Sequence, residues 1–220
     1  MVIRAAIFDM DGLLIDSEPL WYEAAKDVFT PLGIPLTPES YASSIGLRTK
    51  EFVAWWFNRY GIDMQHANNT EKQINDVVIE KILAYGEALT GVHEVLEMIK
   101  RKGLKIGLAT SSPSRLIDVV VDKLGIREYF SAFSSAEHLV FGKPHPQVFI
   151  DCAIALDTKP VECVCFEDSF HGMIAAKAAR MKCIVVPASF MKDEPRWHAA
   201  DLQLISLQEL TGTLLDSIIH

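Results

Sequence analysis

Two hydrophobic patterns alternate along this chain. Short apolar runs occur at Ile3–Phe8, Lys105–Ala109, Ala132–Ser134, Glu162–Phe166 and Cys183–Pro187. Several are apolar on consecutive positions, as in strands of a parallel sheet covered on both faces. Between them, apolar residues recur every three or four positions. Val92, Val95, Leu96 and Ile99 form one helical stripe, ended by Gly103. Leu116, Ile117, Val120 and Leu124 form another, ended by Gly125, and Val148, Phe149, Cys152, Ala153 and Leu156 form a third. Strand–helix alternation of this kind predicts an α/β fold with a doubly wound, Rossmann-like parallel sheet. Residues 202–215 read as a last edge strand and helix.

Residues 19–86 break the alternation. Three amphipathic stripes follow one another: Trp21, Ala24, Ala25, Val28, Phe29 and Leu32; then Phe52, Val53, Trp56, Phe57 and Tyr60; then Ile74, Val77, Val78, Ile82 and Tyr85. No strand-like run intervenes, so this stretch is expected to pack as a helical module of its own. The expected division is a core of residues 1–18 and 87–220 with a helical insert at 19–86.

Composition narrows the class. The chain has 220 residues, half of them hydrophobic, with only 12 glycines and 10 prolines, which excludes a disordered, collagen-like or disulfide-rich chain. A length like this buries roughly 70% of its extended-chain surface, enough for a full core. Its 21 basic and 29 acidic residues give a net charge of −8, which opposes binding to nucleic acid or an anionic membrane. Cys152, Cys163, Cys165 and Cys183 form no CxxC pair and sit among apolar neighbours, as reduced buried thiols do. With no apolar run of 18 residues and no signal-like N-terminus, the expectation is a cytoplasmic protein.

The polar residues that change the picture stand where strands end. The first strand runs into Asp9-Met10-Asp11-Gly12, the second into Thr110-Ser111-Ser112-Pro113, and the fourth into Glu167-Asp168-Ser169. In an open α/β sheet the ligand crevice lies at the carboxyl edge of the strands, so all three clusters face one edge. Ser112 is expected to cap the next helix, with Pro113 at its first position. Asp9, Asp11, Glu167 and Asp168 would then crowd together. At about 5 Å and an effective dielectric of 20, each like-charged pair costs roughly 3 kcal/mol. A cation is implied, and an all-oxygen ligand set points to Mg²⁺. Thr110 supplies a hydroxyl and Lys143, in the stiff turn Gly142-Lys143-Pro144-His145-Pro146, a positive charge suited to a phosphoryl group. Taken singly, these are a turn, a helix cap, a solvated acid pair and a surface lysine; together and in this order they read as a site.

That conjunction of Asp9-Met10-Asp11-Gly12-Leu13-Leu14-Ile15-Asp16-Ser17, Ala109-Thr110-Ser111, Gly142-Lys143-Pro144 and Glu167-Asp168-Ser169 resembles the four motifs of the haloacid dehalogenase-like superfamily. The likeness spans the whole chain, with residues 19–86 as the helical cap, and Gly12–Trp21 is similar to the branch of sugar-phosphate phosphatases acting on 2-deoxyglucose 6-phosphate and hexitol phosphates. The resemblance implies that Asp9 attacks phosphorus and becomes an aspartyl phosphate. It implies that Asp11 protonates the leaving alkoxide and then activates water. Mg²⁺ would be held by Asp9, the Asp11 main-chain carbonyl and Asp168, with Glu167 behind or through water. Thr110, Ser111 and Lys143 would hold the phosphoryl oxygens. The implied partner is a small phosphorylated sugar, and a monomer suffices because the cap already covers the catalytic edge.

Departures from relatives bear on the reaction. Asp11 argues against dehalogenation, since halide needs no proton. Trp21 stands where β-phosphoglucomutases carry a cap histidine, which favours hydrolysis over return of the phosphoryl group. A sugar phosphomutase and a non-catalytic sugar-phosphate binder are the alternatives, and a phosphonatase would need a desolvated Lys26 or Lys50 as Schiff base. Glu18, Trp21, Arg48 and Lys50 fall in the helical cap and could meet the sugar, though Trp21 equally fits the core stripe of its helix. Trp55 and Trp56 are open to sugar stacking or to surface and core roles. His171 reads as a helix-start residue and His145 as structural.

Overall fold

The computed structural model describes residues 2–42 and 44–219. Six strands form one parallel sheet: β1 (Ala5–Phe8), β2 (Lys105–Thr110), β3 (Ala132–Ser135), β4 (Cys163–Glu167), β5 (Lys182–Val185) and β6 (Leu202–Gln203), in the order β3-β2-β1-β4-β5-β6. The chain leaves β1 for β2 and β3 on one side, then returns past β1 to β4. That reversal puts the switch point at the carboxyl end of β1. In register, Phe8 pairs with Leu108 on one side and Phe166 on the other, so the residues after all three strands emerge together.

Both faces of the sheet are covered. Ala6, Phe8, Ile106, Leu108, Val164 and Phe166 pack with Val92, Leu96 and Ile99 of α5 (Val92–Arg101) and Leu116, Ile117 and Val120 of α6 (Ser114–Lys123). Ala5, Ile7, Cys163 and Cys165 face the other way. They meet Val148, Phe149 and Cys152 of α7 (Gln147–Ala155) and Met173 and Ala176 of α8 (Phe170–Ala178). Alternate strand residues thus feed two cores, which is why the strands read as unbroken apolar runs. All four cysteines are buried free thiols, and burial pushes Cys152 up to about 12. The chain ends in the short edge strand β6 and in α9 (Gly212–Ile219). Among the described residues, no helix is long and apolar enough to cross a membrane.

Between β1 and β2 lie α1 (Glu18–Phe29), α2 (Pro38–Ala42), α3 (Thr49–Tyr60) and α4 (Ala67–Tyr85). Helices α1 and α3 both pack on α4. Phe29 stacks on Phe52 at 5.3 Å, with Trp56 and Phe57 around it. Their apolar interior is continuous with the α5–α6 side of the sheet, in a cluster that includes Leu13, Leu14 and Ile15. Stripe residues at the outer ends of helices, Tyr60 and Tyr85, are exposed.

One expected cap is corrected. Helix α6 begins at Ser114, and Pro113 itself is the N-cap, with extended backbone at φ −61° and ψ 150°. A proline fixes its own φ and can stand just outside the first turn. Ser112 is therefore released from capping and turns elsewhere.

Candidate active site

β1 delivers Asp9 to the sheet edge, and the chain then folds back at Gly12, whose φ of +73° is left-handed. A Cβ at Gly12 would overlap the Asp168 carboxylate. Glycine thus serves both the turn and the close approach of the loops after β1 and β4.

Lys143 is buried at the centre. Its Nζ donates to Asp9 Oδ1 at 2.5 Å, to Glu167 Oε1 at 2.5 Å and to the Ala109 carbonyl at 3.2 Å. Burial works to lower Lys143, but the charges of Asp9 and Glu167 outweigh it and hold the ammonium well above its ordinary range. Glu167 is fully buried, and its Oε2 accepts from the Asp168 and Ser169 amides at 3.0 and 2.9 Å and from Ser169 Oγ at 3.0 Å. Ser169 in turn caps α8 by accepting from the Gly172 amide at 3.0 Å. Glu167 is a brace: it ties Lys143 to the end of β4 and the start of α8.

Asp9, Glu167 and Asp168 each place a carboxylate oxygen so that the three lie within 4.8 Å of one another. Burial, followed by neighbouring carboxylates, raises Asp168; burial also raises Asp9, where Lys143 opposes it only in part. Three buried carboxylates against one ammonium is an under-neutralised set. An oxygen-only donor group of this kind fits a hard divalent cation such as Mg²⁺.

Asp11 is set apart from that trio. Its Oδ1 accepts from Ser17 Oγ at 2.7 Å and Trp21 Nε1 at 2.8 Å, and its Oδ2 from Ser112 Oγ at 2.6 Å. The three donors come from the start of α1, from within α1, and from the loop after β2. Asp11, Glu18, Trp21, Tyr41, Thr110 and Lys143 are among the residues lining a cavity of about 60 Å³. On the volume a single water requires, it has room for a handful of waters. Tyr41 Oη donates to Glu18 Oε2 at 3.1 Å, and burial, then Asp11, pushes Glu18 up to about 7.

Sequence reasoning placed Asp9, Asp11, Thr110, Ser111, Lys143, Glu167 and Asp168 in one site, and the structure brings them to one sheet edge. Thr110 is buried and its Oγ1 accepts from the Ser112 amide at 3.0 Å. Ser111 lines the same cavity but gives its hydroxyl proton to the Gly46 carbonyl at 3.0 Å. Trp21 has its ring against the apolar cluster, as its helix stripe predicts, and gives its indole N–H to Asp11. Arg48 does not line the cavity; its guanidinium is buried against carbonyls of the loop before Lys143. Lys26 and Lys50 are exposed, so neither has the desolvated setting a Schiff base needs. Trp55 is exposed and Trp56 buried in the helical core. His171, in the first turn of α8, pairs through Nδ1 with the Ile45 carbonyl at 3.2 Å, and His145 is exposed. Ser17, Tyr41 and the site role of Ser112 went unread. Ser17 stood within the quoted motif, whereas Tyr41 lies on a helix too short to show a period.

A comparison with known families matches residues 6–186 to the haloacid dehalogenase-like hydrolases. Hexitol phosphatase B of Escherichia coli K12 is 44% identical over 219 residues, covering 96% of this chain and 95% of that protein. The phosphorylated carbohydrates phosphatase of Thermotoga maritima is 31% identical over 216 residues, covering 96% of this chain and 98% of that protein. A solved β-phosphoglucomutase from Clostridium difficile shares the fold, with a TM-score of 0.88 at 23% identity, covering 99% of this chain and 97% of that one. With four-fifths of its length matched and its site acids at the strand ends where the motifs put them, this chain belongs to the haloacid dehalogenase-like hydrolase family.

Proposed function

We propose that this protein is a magnesium-dependent phosphomonoesterase that hydrolyses small sugar or sugar-alcohol phosphates through an aspartyl phosphate on Asp9. The observation that carries the reading is the division of labour between two neighbouring acids. Asp9 is ion-paired to Lys143 within the acidic trio, while Asp11 is held apart by three donors on the cavity side. A nucleophile and a proton carrier need such different settings. The names of the hexitol and carbohydrate phosphatases among its relatives support the substrate class.

In this reading Asp9 attacks phosphorus and the bond from phosphorus to the sugar oxygen breaks. Asp11 gives its proton to the departing alkoxide. Water then loses a proton to Asp11 and attacks the same phosphorus; the bond to Asp9 breaks and inorganic phosphate leaves. Ser112 suits this exchange, because a hydroxyl donates to an ionised carboxylate and accepts from a protonated one. Lys143 and the Thr110 hydroxyl hold the phosphoryl oxygens. Asp9, Asp168 and the Asp11 carbonyl would hold Mg²⁺, with Glu167 behind or through water. The ion supplies charge neutralisation that lets a carboxylate approach a phosphate dianion. The small cavity requires the helical segment, acting as a cap over residues 19–86, to part from the sheet edge before a hexitol phosphate enters.

The test is phosphate release from hexitol, hexose and pentose phosphates, with Mg²⁺ and then with a chelator. Wild-type activity that disappears with the chelator and in Asp9→Asn is expected. Near-normal turnover in Asp9→Asn would overturn the mechanism. Conversion of a hexose 1-phosphate to the 6-phosphate without net phosphate release would replace hydrolysis by mutase chemistry.

A further inference from the structure

The helical segment grips the loop that carries Lys143. Arg48 is the N-cap residue of α3, and its side chain is 8% exposed. Nη1 donates to the carbonyls of Ala136 at 3.1 Å and Leu139 at 2.6 Å, and Nη2 to the Val140 carbonyl at 3.3 Å. Nη2 also donates to Glu51 Oε1 at 2.6 Å. Glu51 accepts in addition from the Gly142 amide at 3.3 Å. One guanidinium and one carboxylate from the helical segment thus hold four backbone groups between positions 136 and 142 of the core. The next residue is Lys143, which meets both Asp9 and Glu167.

Two further features fit a built clamp. A guanidinium presents its donors in a rigid planar fork, which can fix several acceptors at once where an ammonium would hold fewer. Gly142 is pressed against the pair: a Cβ there would lie 2.7 Å from Arg48 Nε and 2.7 Å from Glu51 Oε2. A Cβ there would require the Arg48 or Glu51 side chain, or the loop, to shift. The contacts span 88 to 92 positions of sequence between Arg48 and its three carbonyls, so they exist only when the helical segment sits on the core.

We propose that Arg48, with Glu51, is a positioning residue for Lys143: clamping the 136–142 loop places the ammonium against Asp9, so that phosphoryl transfer waits for the helical segment to be seated. The inference rests on the phosphatase reading. It assigns Arg48 to the chemical step rather than to the sugar, and the consequence is a signature in kinetics. Misplacing a reacting group by about 1 Å costs on the order of 10²-fold in rate. Loss of the clamp should therefore lower kcat by about that factor and leave KM within roughly threefold, because no substrate contact is removed. The same loss is expected for a hexitol phosphate and for p-nitrophenyl phosphate, which has no sugar to recognise.

The experiment measures kcat and KM with Mg²⁺ for wild type, Arg48→Ala, Arg48→Lys, Gly142→Ala and the Arg48→Ala/Gly142→Ala double variant, with melting curves to show that each is folded. Arg48→Ala and Gly142→Ala should each lower kcat for both compounds, and the double variant should be no worse than the poorer single one, since both break one clamp. Losses that multiply in the double variant, an effect confined to KM, or a loss seen with the hexitol phosphate alone would overturn the proposal. Should Arg48→Ala fail to fold, Arg48→Lys takes its place in the same cycle. A wild type that releases no phosphate from either compound overturns the phosphatase reading itself. Wild-type activity with an unchanged kcat in Arg48→Ala overturns only the clamp.

Discussion

At the scale of the residue, Asp11 depends on three side-chain donors. Ser17, Trp21 and Ser112 fix both its oxygens, and each bond to a charged group is worth about 1.5–3 kcal/mol. Trp21→Phe keeps the ring against the apolar cluster and removes only the N–H. It is expected to lower kcat about tenfold or more with little change in melting temperature, and Ser112→Ala should do the same. Steady-state kinetics at saturating substrate decide it: kcat unchanged in both variants would mean that Asp11 is not the proton carrier or needs no fixing. The two residues also show what a sequence reveals at this scale. Asp11 was legible because a motif has spacing. Ser112 was read as a helix cap because Ser before Pro so often is one, and a shift of one residue in the helix start left its hydroxyl free for Asp11. Arg48 was placed near the sugar on its position alone. A long flexible side chain reaches several ångströms either way, and its direction is set by carbonyls 88 or more residues distant.

At the scale of the element, the meeting of β4 with α8 holds the site together. Gly172 lies in the first turn of α8, and a Cβ there would overlap the Glu167 carboxylate. Gly172→Ala would force either the helix or Glu167 to move, and overpacking of this kind costs about 1–3 kcal/mol. Because Glu167 braces Lys143, the expected result is a lower urea midpoint together with a fall in kcat. Urea denaturation beside the phosphate-release assay checks both, and a destabilised variant with wild-type kcat would separate Glu167 from catalysis. Strands were readable in sequence to within one or two residues, since burial on both faces leaves apolar runs that few other elements show. The differences of two residues are the start of β1, read from Ile3 and found at Ala5, and the end of β5, read to Pro187 and found at Val185. The three long helices of the segment were readable from their stripes. Helix α2, with five residues, was not, because it is shorter than two turns and shows no period. Strand order and register are set by contacts between distant segments, and nothing local encoded them.

At the scale of the whole molecule, charge balance governs stability as well as chemistry. The chain carries −8 overall, and its most buried acids converge on one point with a single ammonium among them. Without a cation, Asp9 and Asp168 are raised by burial, so folding the apo-protein near neutral pH means burying charge that has too little compensation. A divalent ion that binds only the folded state must therefore stabilise it, by about 2.7 kcal/mol at one hundred times its dissociation constant. For a domain of this size that is a rise of roughly 5–10 °C in melting temperature. Mg²⁺ added to chelator-treated protein is expected to raise the melting temperature and restore phosphate release over the same concentration range. Asp168→Asn should lose both responses, and it should also melt higher than the wild type in chelator, because one uncompensated charge has gone. Activity restored by Mg²⁺ with no shift in melting would place the ion outside the buried trio. A shift that survives in Asp168→Asn would do the same. The opposite ordering in chelator, with Asp168→Asn the less stable, would show that Lys143 alone already balances the buried acids.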